Sequence, residues 1–307
     1  MATSKFRYVW ETMIFRFARS VVPHFPRPAI IGLAHVTGRI GYSVAGRERR
    51  VARANLETVF PDASEIWVQS AAMKSFQTFA LVLFDLFWFG RQSRRRIERF
   101  VDFDSSMEAV LNSVPAVAVT AHLGNWEVLG LAVALRGSPL ISVAADLENP
   151  AVNRELNLMR QATGQKVLPR RGAVRGMLKA LRGGESVGLL ADQNTLPQNG
   201  GTYVDFFGLP VPVTRAPGIL ACRAGVPIIM AFCVPSDGGR YRAYVSESFD
   251  PRSEGMNDLD VAARIAAATE KEVSLNADKW LWSYKRWKYI PAGSDGALYP
   301  FYAKRAG

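Results

Sequence analysis

"AVAVTAHLGNWEVLG", residues 116–130, is the stretch whose reading decides the fold. It opens as AVAVT, a short apolar run with the length and composition of a buried strand. The run breaks at His122, and Gly124, Asn125 and Glu127 follow at once. Gly124 lets the backbone turn tightly, and Asn125 suits the N-cap of a helix starting at Trp126. A strand followed so closely by a helix places His122 at the carboxyl end of the strand. In open α/β sheets that edge is where ligands bind.

The same texture continues downstream. The runs PLISVAA, SVGLLA and VPIIMAFCV alternate with helical stretches near 151–163, 173–182 and 215–224, and an alanine-rich helix covers 258–276. Apolar strands alternating with helices predict an α/β core over 101–307, built on a largely buried mixed sheet flanked by helices. Residues 1–100 read differently, as a helical, basic, amphipathic region packed on that core. Phe6, Trp10, Met13, Phe17 and Val21 recur at helical spacing over 5–22, with Lys5, Arg7, Arg16 and Arg19 around them. Such a helix either lies in a membrane interface or packs on a core with its arginines solvated. A second basic helix is expected at 47–59. Asp62 with Glu65 resembles a capping box for a long helix over roughly 64–89, stopped at Gly90. The run RQSRRRIERF reads as a solvated face.

Composition narrows the classes. The chain has 307 residues and a formal charge of +11, with a mean hydropathy of +0.01 and a pI near 9.9. That balance suits an anionic membrane surface, acidic substrates or nucleic acid. No familiar nucleic-acid-binding motif occurs, and the arginines accompany apolar helices, so no nucleic-acid partner is expected. Cys222 and Cys233 suggest no disulfide framework, and three histidines with two scattered cysteines make a metal site improbable. The N-terminal residues lack the pattern of a signal peptide, and no segment supplies a comfortable membrane span.

His122 and Glu127 are the candidate catalytic pair. Across a strand–turn–helix junction the two side chains can meet, the carboxylate accepting from one imidazole nitrogen and leaving the other free as a general base. A satisfied polar pair at a helix start is the plain alternative.

HLGNWE has the H-x4-[D/E] form of the lysophospholipid acyltransferase superfamily, and TAHLGNWE resembles the lipid A biosynthesis late acyltransferases. NLETVFP (55–61), LLADQN (189–194), VDFFGLPVPVTRAP (204–217) and WLWSYKRWK (280–288) resemble that family's other landmarks, in order. The resemblance implies a glycerol-3-phosphate/lysophospholipid acyltransferase-like fold and direct transfer of an acyl chain to a lipid hydroxyl. His122 would be the base and Glu127 its orienting acid. The donor would be an acyl carrier protein or coenzyme A thioester, with no other cofactor. The acceptor would be an anionic lipid, most simply a lipid A precursor, with a lysophospholipid or another glycolipid as the alternative. The setting implied is the cytoplasmic face of a bacterial inner membrane, bound peripherally or monotopically. Asn125, Asp192 and Gln193 are expected at the substrate site. By their own position before a helix, Arg170 and Arg171, and with them Arg215, are candidates for a phosphate, with a plain solvated loop as the alternative. Two things depart from the family: residues 1–46 are punctuated by arginines where relatives commonly span the membrane, and Asn194 stands where an acidic residue often follows the Asp–Gln pair. A catalytically silent lipid-binding protein would not need the intact His122–Glu127 pair.

Overall fold

The computed structural model describes residues 2–111, 115–138, 140–144, 147–169 and 172–306. The N-terminal region holds α1 (Ala2–Val21), α2 (Arg27–Val44), α3 (Gly46–Val59), α4 (Glu65–Phe89) and α5 (Ser93–Phe100). After β1 (Val101–Phe103) and α6 (Ser105–Val110) come β2 (Val117–Thr120), α7 (Trp126–Leu135), β3 (Leu140–Ala144) and α8 (Pro150–Arg160). Next are β4 (Lys166–Pro169), α9 (Ala173–Arg182), β5 (Ser186–Leu190), β6 (Gly201–Phe206), β7 (Leu209–Thr214) and α10 (Ala216–Ala224). The chain then runs through β8 (Ile228–Ser236), β9 (Arg240–Phe249) and α11 (Asp258–Leu275).

Seven strands form one mixed sheet in the order β1-β9-β8-β2-β5-β3-β4. Pairing is parallel except between β8 and β9, which form an antiparallel hairpin turned at Gly238 and Gly239, both at positive φ. β6 and β7 pair separately as a second hairpin. The expected α/β architecture with a helical N-terminal region is what the chain adopts.

β8 shows how the sheet is buried on both faces. Ile228, Met230 and Phe232 join a core with Met177, Leu181, Leu220 and Ile265 from α9, α10 and α11. Ala231 and Cys233 point the other way, into a core with Ile30, Leu81, Trp88 and Val128. Strand periodicity of two thus feeds two helical layers. The N-terminal helices α2 and α4 complete the second core, so they share packing with the sheet.

Several expectations need correction. α2 was not foreseen, because Pro26 and Pro28 flank its start and glycines interrupt its apolar pattern. α4 is capped by Ser64, which accepts from Trp67 N at 3.3 Å, and Asp62 is not the cap. Among the described residues α4 is also long and apolar enough to cross a membrane by length and composition, which the sequence reading denied to every segment. Half of that stretch is buried inside the protein, and its apolar character is that of a core helix.

Candidate active site

Thr120 pairs with Leu190 across the parallel strands β2 and β5, so the chain leaves both strands at one point of the sheet's carboxyl edge. Two residues beyond each of these stand His122 and Asp192. The Asp192 carboxylate accepts from His122 Nδ1 at 2.8 Å and from the His122 backbone N–H at 2.9 Å. Trp280 Nε1 donates to it at 2.9 Å. An acceptor on Nδ1 fixes the proton there and leaves Nε2 with its lone pair outward. Burial by itself would raise the Asp192 carboxyl. Attraction to the facing His122 imidazole and the hydrogen bonds from His122 and Trp280 outweigh it and hold the group below the ordinary carboxylate range. Asp192 therefore stays ionised at neutral pH. Its contribution to stability is present above its unfolded value and is lost as pH falls through the depressed folded one.

The loop after His122 is held from three sides. Gly124 has φ 65°, and a Cβ there would lie 2.2 Å from the Cys233 carbonyl oxygen, so only glycine fits. Leu281 N–H donates to the His122 carbonyl at 3.1 Å, and Gly124 N–H to that of Lys279 at 3.0 Å. The Trp126 ring meets the imidazole edge-on, with centroids 4.7 Å apart.

Asn125 caps α7 as expected, accepting from Val128 N–H at 3.0 Å. Expected at the substrate site, its side chain is turned inward and is 1% exposed. Its amide donates to Asp85 at 3.1 Å and to the Tyr241 hydroxyl at 3.0 Å. Asp85 also takes a buried ion pair from Arg27 and a hydrogen bond from Tyr241. A buried pair so fully bonded specifies geometry more than it stabilises. Through it α2 and α4 set the position of the His122 loop.

Glu127 does not meet the imidazole. Its carboxylate is gripped by Arg160 at the end of α8, with Nε at 2.9 Å and Nη2 at 2.6 Å. The cap at Asn125 turns the first helical turn toward α8, and the Nδ1 side of the ring is already occupied by Asp192. Gln193 does reach the site, its amide nitrogen 3.4 Å from His122 Nε2. Arg215 is engaged elsewhere, with Asp258 at 2.5 Å across the start of α11. Arg170 and Arg171 lie outside the described residues.

Trp280 is the site residue that sequence reasoning missed. WLWSYKRWK reads as an interfacial aromatic–basic stretch, yet Trp280, Trp282 and Trp287 are buried. The indole N–H in a buried ring needs an acceptor, and Asp192 is the one it finds.

Cys233 is buried, which pushes its thiol well up, and Cys222 donates weakly to the Met256 carbonyl at 3.7 Å. Cys233 meets the His122 loop through its backbone carbonyl, and neither thiol is bonded to His122 or Asp192. A Cys222→Ala/Cys233→Ala double variant is expected to keep most of its activity. A thioester adduct trapped on either cysteine would contradict this.

The fold is α/β, and at the carboxyl edge of its sheet stand an ionised carboxylate bonded to an imidazole and, at the ring's other nitrogen, the Gln193 amide. The family it belongs to follows from sequence comparison. The chain belongs to the bacterial lipid A biosynthesis acyltransferase family, whose profile matches residues 3–289, and it is accordingly an acyltransferase acting on a lipid acceptor. It is 24% identical over 281 residues to the lipid A biosynthesis palmitoleoyltransferase of Escherichia coli (strain K12), covering 89% of each chain. It is 24% identical over 291 residues to the lipid A biosynthesis lauroyltransferase of the same organism, covering 92% of this chain and 93% of the other. A phosphatidylinositol mannoside acyltransferase of Mycobacterium tuberculosis (strain CDC 1551 / Oshkosh) is 27% identical over 148 residues, 47% of this chain and 46% of its own.

Proposed function

We propose that this enzyme moves an acyl chain from a thioester of acyl carrier protein or coenzyme A to a hydroxyl of a lipid A precursor. His122 acts as general base, and no resident cofactor is needed. The observation that carries this reading is the 2.8 Å His122–Asp192 contact, which leaves Nε2 with only the 3.4 Å approach of the Gln193 amide. Nε2 takes the proton of the acceptor hydroxyl as its oxygen attacks the thioester carbonyl. The tetrahedral adduct collapses, the carbon–sulfur bond breaks, and the leaving thiolate recovers the proton from Nε2–H. Asp192 stabilises the imidazolium formed between these steps. Gln193 can donate to the acceptor oxygen beside Nε2. Glu127 acts at one remove, by holding Arg160. Mass spectrometry of total lipids from cells with the gene deleted and restored tests the reading. One lipid A species should lose and regain a single acyl increment. An increment on a mannoside or phospholipid would favour the alternative acceptor class, which the mycobacterial relative supports.

The same reading places the protein on the cytoplasmic face of the inner membrane, held through α1 and α2. Phe6, Trp10, Met13, Ile14 and Phe17 on α1 are at least half exposed, as are Val36, Ile40 and Val44 on α2. So many large apolar side chains on adjacent basic helices suit insertion into an interface. Arg91, Arg94, Arg95 and Arg99 are exposed and can meet anionic headgroups, each worth on the order of 1 kcal/mol at low salt. The tryptophans of 280–288 are buried and take no part. The full chain is expected to bind anionic liposomes strongly, bind zwitterionic ones weakly and be partly released by salt. Deleting residues 1–22 should weaken binding. Indifference to both liposome types would refute the interfacial attachment.

A further inference from the structure

A second concave site lies next to the catalytic edge. It is a cleft of about 360 Å³ whose lining includes Arg47, Glu48, Asn194, Ser283, Lys285 and Lys288. Its link to the catalytic histidine is short in sequence: Asn194 follows Gln193, whose amide lies 3.4 Å from His122 Nε2. Asn194 is fixed there by three hydrogen bonds. Its N–H donates to the Tyr284 hydroxyl at 2.9 Å, its amide to the Lys285 carbonyl at 2.9 Å, and its Oδ1 accepts from Arg286 Nη1 at 2.7 Å.

The charge around this cleft is one-sided. Among the described residues, Arg47, Lys285 and Lys288 make no ion pair with a carboxylate, and Glu48 is the single acid in the lining. Behind Asn194 the Arg286 guanidinium is 1% exposed, bonded only to neutral oxygens, with its Nε lacking a hydrogen-bond partner. An acidic residue at 194 would pair with it directly, whereas with asparagine there its leading attraction comes from the ionised Asp192. Burial draws the Arg286 guanidinium down to about 10, still charged at neutral pH. The cleft also contains the first turn of α3, a helix of 14 residues whose N-terminus has no side-chain cap. A cation such as Arg47 there opposes the helix dipole and is unfavourable for the protein alone. A bound anion offsets both features, the cations without a carboxylate partner and the uncapped helix start, against the one opposing charge of Glu48.

We propose that this cleft binds a phosphate group of a substrate, held by Arg47, Lys285, Lys288 and the α3 N-terminus, so that the substrate's reactive end reaches His122. Several cationic donors converging with helix amides match the multiple oxygens and charge of a phosphate better than a carboxylate. The inference rests on the acyl-transfer reading, in which a phosphate arrives either on the carrier of the acyl chain or on the lipid headgroup.

Two arms test it with the purified full-length protein. In the first, inorganic pyrophosphate is titrated by calorimetry into the wild type and into an Arg47→Gln/Lys285→Gln/Lys288→Gln variant whose folding is checked by circular dichroism. The wild type is expected to bind and the variant to lose at least about tenfold in affinity, roughly one decade per 1.4 kcal/mol of contacts removed. If the triple variant does not fold, Arg47→Gln alone is read the same way, since Arg47 is exposed. In the second arm, acyl-CoA and lipid acceptor are varied separately in a mixed-micelle assay. One KM should rise about tenfold, with a smaller fall in kcat. A rise for the lipid identifies the headgroup as the source of the phosphate, and a rise for the thioester identifies the carrier. The inference is overturned if pyrophosphate binds both proteins equally or neither, or if both KM values stay fixed in an active variant. If pyrophosphate binding behaves as expected while the wild type transfers no acyl chain, the acyl-transfer reading alone fails.

Discussion

His122→Ala is expected to lower acyl transfer about 10²–10⁴-fold, the range for removal of a general base, while the protein remains folded. The imidazole is a peripheral member of its surroundings: its side chain is 17% exposed, and Asp192 still bonds the backbone N–H of residue 122 without it. The loss should therefore appear in turnover. A purified variant with unchanged circular dichroism and wild-type turnover would exclude His122 as the base.

Asp192→Asn is expected to be as severe, about 10⁴-fold in kcat, as when the carboxylate of a Ser–His–Asp triad is replaced by its amide. An amide at position 192 can still bond the His122 backbone or the Trp280 indole. It cannot both accept the Nδ1 proton and offset the imidazolium charge, so the ring is free to present N–H where the acceptor hydroxyl needs a lone pair. Glu127→Gln should cost less, because Glu127 bonds Arg160 and not the imidazole. Kinetics of the two variants side by side decide which carboxylate serves the base. A larger loss for Glu127→Gln would reverse the assignment.

The contrast between these two carboxylates shows what a linear sequence exposes. His122, Gly124 and Asn125 act over a few residues, through a turn and a cap, and the sequence pattern sufficed to place them. Asp192 is 70 residues from His122 and Glu127 is 33 from Arg160, and such pairings depend on strand order and helix direction. One clue was available: TAHLGN and LADQN each put a polar group just beyond an apolar strand. Parallel neighbours would bring those groups together, but nothing local says that β2 and β5 are neighbours. The aromatic segment misled for a related reason. Trp280, Trp282 and Trp287 alternate with cations as an interfacial stretch would, and only the fold shows that hydrogen bonds from Asn55 and Ser75 tie this segment's carbonyls inside the protein. The N-terminal stripe, by contrast, needed only helical periodicity, and Phe6, Trp10, Met13 and Phe17 are exposed as that pattern allows, with Val21 half-buried at its end.

The central claim is transfer of an acyl chain to a lipid hydroxyl at the His122–Asp192 pair. Its most direct test is to incubate the purified protein with an acyl thioester and a lipid A precursor bearing a free hydroxyl, and to follow the lipid by mass spectrometry. The account predicts a gain equal to one fatty acid less one water, produced by the wild type and suppressed in His122→Ala and Asp192→Asn. An acyl increment formed equally well by all three proteins would contradict it.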